Sequence, residues 1–278
     1  MEIAVMGASG RTGGRIARAL LEAGVKVRAL GRDAARLAGL KGAQLCIGDP
    51  ADAEYLADAF HGVHAAYCLL PYDPSAPGYL AAQARQGEAM AAALMEGRVG
   101  RVVFLSSLGA EQPGGTGAIV PIHDQEQRLR AIPGLDAIFL RAGAFFENLD
   151  WARAGTYVDA VDPDVRFPMV ATRDIADAAV AALLDPSWRG IAVREVLGPC
   201  DMSYAEAVAI VNGPGRYVQA GYAEVAEGLR QAGLAPDLAE LTVGISRALN
   251  EGRIKSLAGR SAANSTPTRY EDYVAGLG

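Results

Sequence analysis

The chain has 278 residues, 51% of them hydrophobic and 21% charged, which fits a globular protein with a full core in one large domain or two closely packed lobes. A net charge of -6 argues against a general nucleic-acid binder, although a local basic pocket for a phosphate remains compatible with it. No apolar run is long enough for a membrane span and the chain enters a strand at once, so a cytoplasmic protein without membrane attachment is expected.

An apolar run at residues 3–6 reads as a buried strand, followed by glycines at 7, 10 and 13 and a helix from about residue 15 to 21. Each glycine has a physical role in such a strand-to-helix turn. Gly7 allows the tight turn, Gly10 lets backbone approach a pyrophosphate, and Gly13 lets the helix lie against the strand. Phosphates would then meet free backbone N–H groups at the positive end of the helix. Strands are expected at residues 25–30, 44–47, 64–70, 101–106 and 137–140, with helices at 34–40, 53–60, 80–95 and 124–131. This alternation implies a parallel sheet covered on both faces, with ligands at the carboxyl ends of its strands.

Beyond residue 150 the pattern loosens. A helix at 174–184 and a strand at 194–197 are followed by helices at 205–211, 223–232 and 238–249, with a Gly213-Pro214-Gly215 turn after the first of these three. The fold class is therefore α/β, a doubly wound parallel sheet of extended Rossmann type with a smaller, mostly helical C-terminal lobe. Residues 1–150 form the nucleotide domain, residues 165–198 return to the sheet, and residues 151–278 hold the substrate lobe. Cys46, Cys68 and Cys200 lie far apart in apolar settings without metal-ligand spacing, so buried free thiols and no metal site are expected.

The second strand should end beside the adenosine ribose, where an acid suits the free hydroxyls of NAD and an arginine suits the 2′-phosphate of NADP. Arg32 ends that strand and Arg11, in the glycine loop, is placed to reach the same phosphate. Asp33 is explained as a helix N-cap. NADP(H) is the expected cofactor and NAD(H) the alternative; the bland reading leaves both arginines in solvent.

The glycine loop, Arg32, Gly48-Asp49, Val102-Val-Phe-Leu-Ser-Ser107 and Leu140-Arg-Ala-Gly-Ala-Phe-Phe-Glu-Asn148 form an ordered series. The series resembles the NmrA-like branch of the atypical short-chain dehydrogenase/reductases. Ala66-Tyr-Cys-Leu-Leu-Pro71 and Val196-Leu-Gly-Pro199 resemble the ergot-alkaloid-biosynthesis-type reductases and related quinone reductases within it. The resemblance implies cofactor roles for Gly7, Ser9, Gly10, Arg11, Thr12, Gly13 and Arg32. It also puts Asp49 beside the adenine, Leu70 and Pro71 along the adenosine, and Phe145 near the nicotinamide.

Ordinary members of that superfamily use a Tyr-x-x-x-Lys pair, in which lysine lowers the tyrosine pKa for proton exchange with the substrate oxygen. None of the three lysines, Lys26, Lys41 and Lys255, stands four residues after a tyrosine. With Glu126 aligned to the glutamate of that helix, the lysine column falls on His123 and the tyrosine column on Ile119. His123 is then expected to hydrogen-bond the nicotinamide ribose or relay a proton, while Asp124 and Glu126 read as first-turn acids favouring the helix dipole. Ser106 and Ser107 are expected to contact the cofactor. Tyr72, Phe145, Phe146 and Trp151 are expected to line the substrate site with Asn148 as orienting group, and Tyr72 is the substitute proton donor. The expected activity is NADPH-dependent hydride transfer to a planar, electron-poor small molecule such as a quinone, an iminium ion or an activated double bond. Two alternatives are a non-catalytic nucleotide sensor acting through a protein partner and a non-redox cyclase or isomerase.

Overall fold

A computed structural model describes residues 1–213 and 215–277; Pro214 of the turn read at 213–215 lies outside them. The first half of the chain alternates as the patterning requires: β1 (Glu2–Val5), α1 (Arg11–Glu22), β2 (Lys26–Gly31), α2 (Ala34–Leu37), β3 (Gln44–Ile47), α3 (Ala53–Phe60) and β4 (Ala65–Cys68). It continues with α4 (Tyr79–Glu96), β5 (Arg101–Ser107), α5 (Val120–Arg130) and β6 (Asp136–Ala142). After the excursion described below, α6 (Thr172–Leu184) and β10 (Ile191–Val196) come back to the same sheet.

These strands form a seven-stranded sheet in the order β10-β6-β5-β4-β1-β2-β3, and every pairing is parallel. A parallel strand is covered on both faces and needs apolar residues on each; β4 is buried at all four positions. Ile16 and Leu20 of α1 and Ile175 and Ala179 of α6 pack on one face with Val5 and Val103. Phe60 of α3, Met90 of α4 and Leu129 of α5 pack on the other with Phe104 and Phe139. The chain winds outward from β1 in both directions, so the β1/β4 boundary is the point where strand order reverses. Ligands of such sheets bind in the crevice there.

Between β6 and α6 the chain makes β7 (Ala144–Phe145), a 3-10 segment (Phe146–Ala154), β8 (Tyr157–Asp159) and β9 (Phe167–Val170). After β10 come β11 (Asp201–Met202), α7 (Tyr204–Asn212), β12 (Tyr217–Gln219), α8 (Tyr222–Gln231), α9 (Pro236–Asn250) and α10 (Tyr270–Ala275). The lobe is mostly helical, as expected, but carries two small sheets that patterning missed, β11-β9-β7 and β12-β8. Strands of two to four residues are too short to show a period. Cys200 is exposed and corrects the expectation of three buried thiols; Cys68 is buried and Cys46 half-buried. Among the described residues no helix is long and apolar enough to cross a membrane.

α9 packs on the segments that follow β4 and β5. Its Asp237 accepts the Tyr79 N–H, the first of α4, at 2.7 Å, and the Ala235 N–H donates to the Pro74 carbonyl at 2.8 Å. Gly117, at φ +59, lies so close to α9 that a Cβ there would stand 2.7 Å from the Ile245 nitrogen.

Candidate active site

Gly7 sits at φ +64, a conformation open to glycine, and its carbonyl accepts the Gly10 N–H at 2.8 Å. A Cβ on Gly13 would clash with the Gly7 carbonyl and stand 2.8 Å from the Met6 oxygen, so α1 can lie on β1 only with glycine at this position. Gly10 is the N-cap of α1 and no side chain caps the helix. The first N–H groups of a helix have no intrahelical partner, and here they are left for an anion at the positive end of the dipole. Ser9 beside them is half-buried, while the Thr12 side chain is buried.

Arg11 is exposed but already has a partner within the fold. Its guanidinium donates to Asp150 at 2.8 Å and to the Glu147 carbonyl at 3.4 Å, and Tyr273 of α10 donates its hydroxyl to the same Asp150 at 2.6 Å. Burial is the main reason the Tyr273 phenol is held far above its ordinary range, with Asp150 adding to it. The start of α1 is thereby linked through Arg11 and Asp150 to Tyr273 of α10.

On the adenosine side Arg32 is exposed and, among the described residues, makes no ion pair. Asp33 caps α2 as expected, its carboxylate accepting the Ala35 N–H at 2.8 Å. Asp73 has its pKa lowered first by the Ser75 hydroxyl, then by backbone N–H groups, with Arg32 contributing across the crevice. The Asp49 carboxylate accepts the Ala51 N–H at 2.9 Å, and a Cβ on the preceding Gly48 would stand 2.5 Å from the Tyr55 ring. Leu70 is buried, and the Pro71 carbonyl accepts Gln83 at 2.8 Å.

On the nicotinamide side the alternation of β5 and β6 turns Ser106 and Arg141 towards α5. Ser106 is buried and donates to Glu126 at 2.5 Å, so its hydroxyl hydrogen is taken within the fold. Ser107 is half-buried and donates to the Leu108 carbonyl at 2.9 Å. Glu126 is fully buried. Arg141 grips both of its oxygens, at 2.9 and 2.7 Å, and extends its third arm to Glu111 at 3.1 Å. Burial opposes the Arg141 charge, yet Glu126, Glu111 and Glu195 together hold its pKa above the ordinary guanidinium value. The first-turn reading of Asp124 and Glu126 is therefore corrected. α5 starts at Val120 with Pro121 in its first turn, and Glu126 lies a turn further in as a buried ion partner. A lone arginine in an otherwise apolar strand was the signal that such an acid had to exist.

His123, half-buried, places Nδ1 2.9 Å from the Ala110 carbonyl. Tyr72 is 57% exposed, its ring edge-on to Tyr79 at 6.0 Å. Burial raises the Tyr79 pKa to about 12; its hydroxyl donates to the Ala118 carbonyl. Phe145 is half-buried against the α1/α6 core. Phe146 is corrected from a pocket wall to a core residue, 1% exposed and packed on Tyr270 at 4.9 Å. Asn148 is exposed, and Trp151, 78% exposed, is not brought together with the other aromatics. Patterning also missed Glu147, whose buried carboxylate receives the Thr172 N–H at 3.1 Å and its hydroxyl at 2.6 Å, closing the start of α6.

An all-parallel doubly wound sheet, a glycine turn that excludes side chains and an uncapped helix start at the reversal of strand order define a Rossmann-type dinucleotide fold. The chain belongs to the NmrA-like family, whose model matches residues 1–228. It is 27% identical over 253 residues to the NAD(P)H azoreductase of Xenophilus azovorans, covering 86% of this chain and 84% of that protein. Among solved structures it is similar to the NADPH complex of the NADPH-dependent quinone oxidoreductase QOR2 from Escherichia coli, at a TM-score of 0.83 and 22% identity over 99% of each chain. The NADP(H) complex of triphenylmethane reductase from Citrobacter sp. superposes at a TM-score of 0.78, with 20% identity and 99% of each chain covered.

Proposed function

We propose that the protein is an NADPH-dependent reductase that delivers hydride to a planar, electron-poor small molecule. The observation that carries this reading is the start of α1, where three glycines bring uncapped N–H groups to an open surface at the strand reversal. Bound there, the cofactor supplies the hydride; this chain supplies binding, orientation and a covered site. The α1 start holds the pyrophosphate, and Arg32 holds the 2′-phosphate with two parallel donors. Residues 1–150 together with 165–198 form the cofactor domain, and the rest covers the substrate side.

Without a Tyr-x-x-x-Lys pair, the favoured acceptors are those that need no proton from the protein in the hydride step. Quinones and azo compounds give anions that take a proton from water, and a cationic triphenylmethane dye is neutralised by the hydride itself; the three relatives above are named for acceptors of these classes. Tyr72 stands exposed after β4 and offers a stacking surface and a phenol. Titration calorimetry with NADPH and NADH, on the wild type and on Arg32→Ala, tests the binding half of this reading. Selective loss of NADPH affinity in the variant is expected, and absence of dinucleotide binding by the wild type would overturn it. Anaerobic NADPH oxidation with a quinone, an azo dye and a cationic dye tests the reaction; binding without turnover on any acceptor favours a nucleotide-sensing regulator instead.

A further inference from the structure

His123 carries a structural instruction about its own protonation. Its Nδ1 lies 2.9 Å from the Ala110 carbonyl, and a carbonyl oxygen can only accept, so Nδ1 bears the proton and neutral His123 presents Nε2 as a bare acceptor. His64 shows the opposite arrangement, its Nδ1 accepting the Glu2 N–H at 3.0 Å, which leaves the proton on Nε2.

Both sides of the His123 contact are held by one residue. Arg141 grips Glu126, which stands three residues after His123 on α5 and so shares its face of the helix. The same guanidinium holds Glu111, the residue that follows Ala110, at 3.1 Å. A second tie fixes this loop, since the Gln112 amide donates to the Arg253 carbonyl at 2.6 Å. Arg141 therefore fixes the helix that carries the imidazole and the loop that carries its carbonyl acceptor.

We propose that Arg141, acting through Glu111 and Glu126, is a positioning residue that sets the tautomer of His123. The site then has an acceptor where the superfamily's lysine would offer a donor. In the reductase reading, on which this inference rests, Nε2 receives a hydroxyl hydrogen from the nicotinamide ribose and stays proton-free in the neutral ring. No bond is made or broken at His123. It orients the cofactor, and the proton for the product comes from elsewhere.

The test is an NMR measurement of imidazole 15N resonances, which separate protonated from bare ring nitrogens, on full-length protein with its three histidines labelled. His123→Gln assigns the signal, and His64 supplies an Nε2–H reference in the same spectrum. The wild type is expected to show His123 with the proton on Nδ1. In Glu111→Ala the population is expected to move towards Nε2–H, with kcat for NADPH oxidation down about tenfold and the KM for NADPH little changed. Glu111 is half-exposed, so the variant should fold, and Glu111→Gln, which keeps an acceptor for Arg141, should restore most of the loss. An Nε2–H tautomer in the wild type would overturn the assignment, and so would a Glu111→Ala spectrum identical to wild type. A tautomer shift in a protein that reduces no acceptor would sink the reductase reading and leave the positioning role standing, because the spectrum is read without turnover.

Discussion

Arg11, the first residue of α1, donates to Asp150 of the 3-10 segment at 2.8 Å, so a charge at the helix start, where the pyrophosphate is proposed to bind, is already shared with a carboxylate. A bound pyrophosphate would compete with Asp150 for that guanidinium. Asp150→Asn should therefore tighten NADPH binding a few-fold, an exposed ion pair being worth about 1 kcal/mol at most. Calorimetric titration checks this; weaker binding in the variant would show that Asp150 supports the site rather than competing for it.

Arg32 has a milder competitor in Asp73, whose lowered pKa reflects it in part. Replacing Asp73 by Asn should raise affinity for NADPH by about twofold at low salt and leave NADH unaffected, because only the 2′-phosphate draws on Arg32. Equal gains for both nucleotides would place the effect elsewhere.

The buried Ser106–Glu126–Arg141 group makes a contrast within one cluster. Ser106→Ala removes one donor and should cost about 1 kcal/mol of stability, with NADPH affinity unchanged. Glu126→Gln leaves the buried Arg141 charge to Glu111 and should cost about 3 kcal/mol. Urea denaturation curves on both variants decide this, and equal costs would contradict the buried ion pair.

Asp159 of β8 is largely buried, and burial lifts its pKa above the ordinary carboxylate value despite hydrogen bonds from Ser246 and the Val161 and Ala160 N–H groups. A raised folded pKa means that the folded state holds the proton more firmly than the unfolded chain. The contribution is thus fully present below the ordinary carboxylate range and lost as pH rises through the folded value. Asp159→Asn should accordingly raise Tm at neutral pH, with the gain shrinking towards acid pH. Thermal melts between pH 4 and pH 8, about the span over which carboxylates of this kind titrate, would show it. A gain that grew on acidification would refute the sign.

Gly13→Ala should be far more damaging than its size suggests. The added carbon meets the Gly7 carbonyl and the Met6 oxygen, both backbone, so α1 must lift off β1. A loss of about 3 kcal/mol or more, accompanied by loss of NADPH binding, is expected in denaturation and titration experiments.

The elements that patterning placed well are those whose burial and periodicity coincide. β3 and α3 match the expected bounds because Gln44 and Ile47 are framed by loop residues and Asp52 caps its helix with bonds to the Glu54 and Tyr55 N–H groups. α1 begins four residues before the expected start at residue 15, since its first turn buries Thr12, Gly13 and Gly14, which carry no hydrophobic signal. The start of α5 was missed for a related reason: a 3-10 turn at Gly117–Ile119 leads straight into Val120 and Pro121. At the site, the backbone features were legible because glycine spacing reports backbone geometry directly. Side-chain partnerships across elements were not. Nothing local tells that Arg11 meets Asp150, that Ser106 is taken by Glu126, or that Phe146 turns towards Tyr270.

The near-contact of Gly117 with α9 is mutual, for a Cβ on Gly244 would stand 2.9 Å from the Gly117 Cα. Two bare backbones thus set the spacing between the loop after β5 and the helix above it, with no side chain to act as a spacer. An added methyl at either position would push α9 away from that loop. In the reductase reading proposed above, with the substrate seated under this helix, the two glycines act as a gauge of how thick a molecule the chain admits.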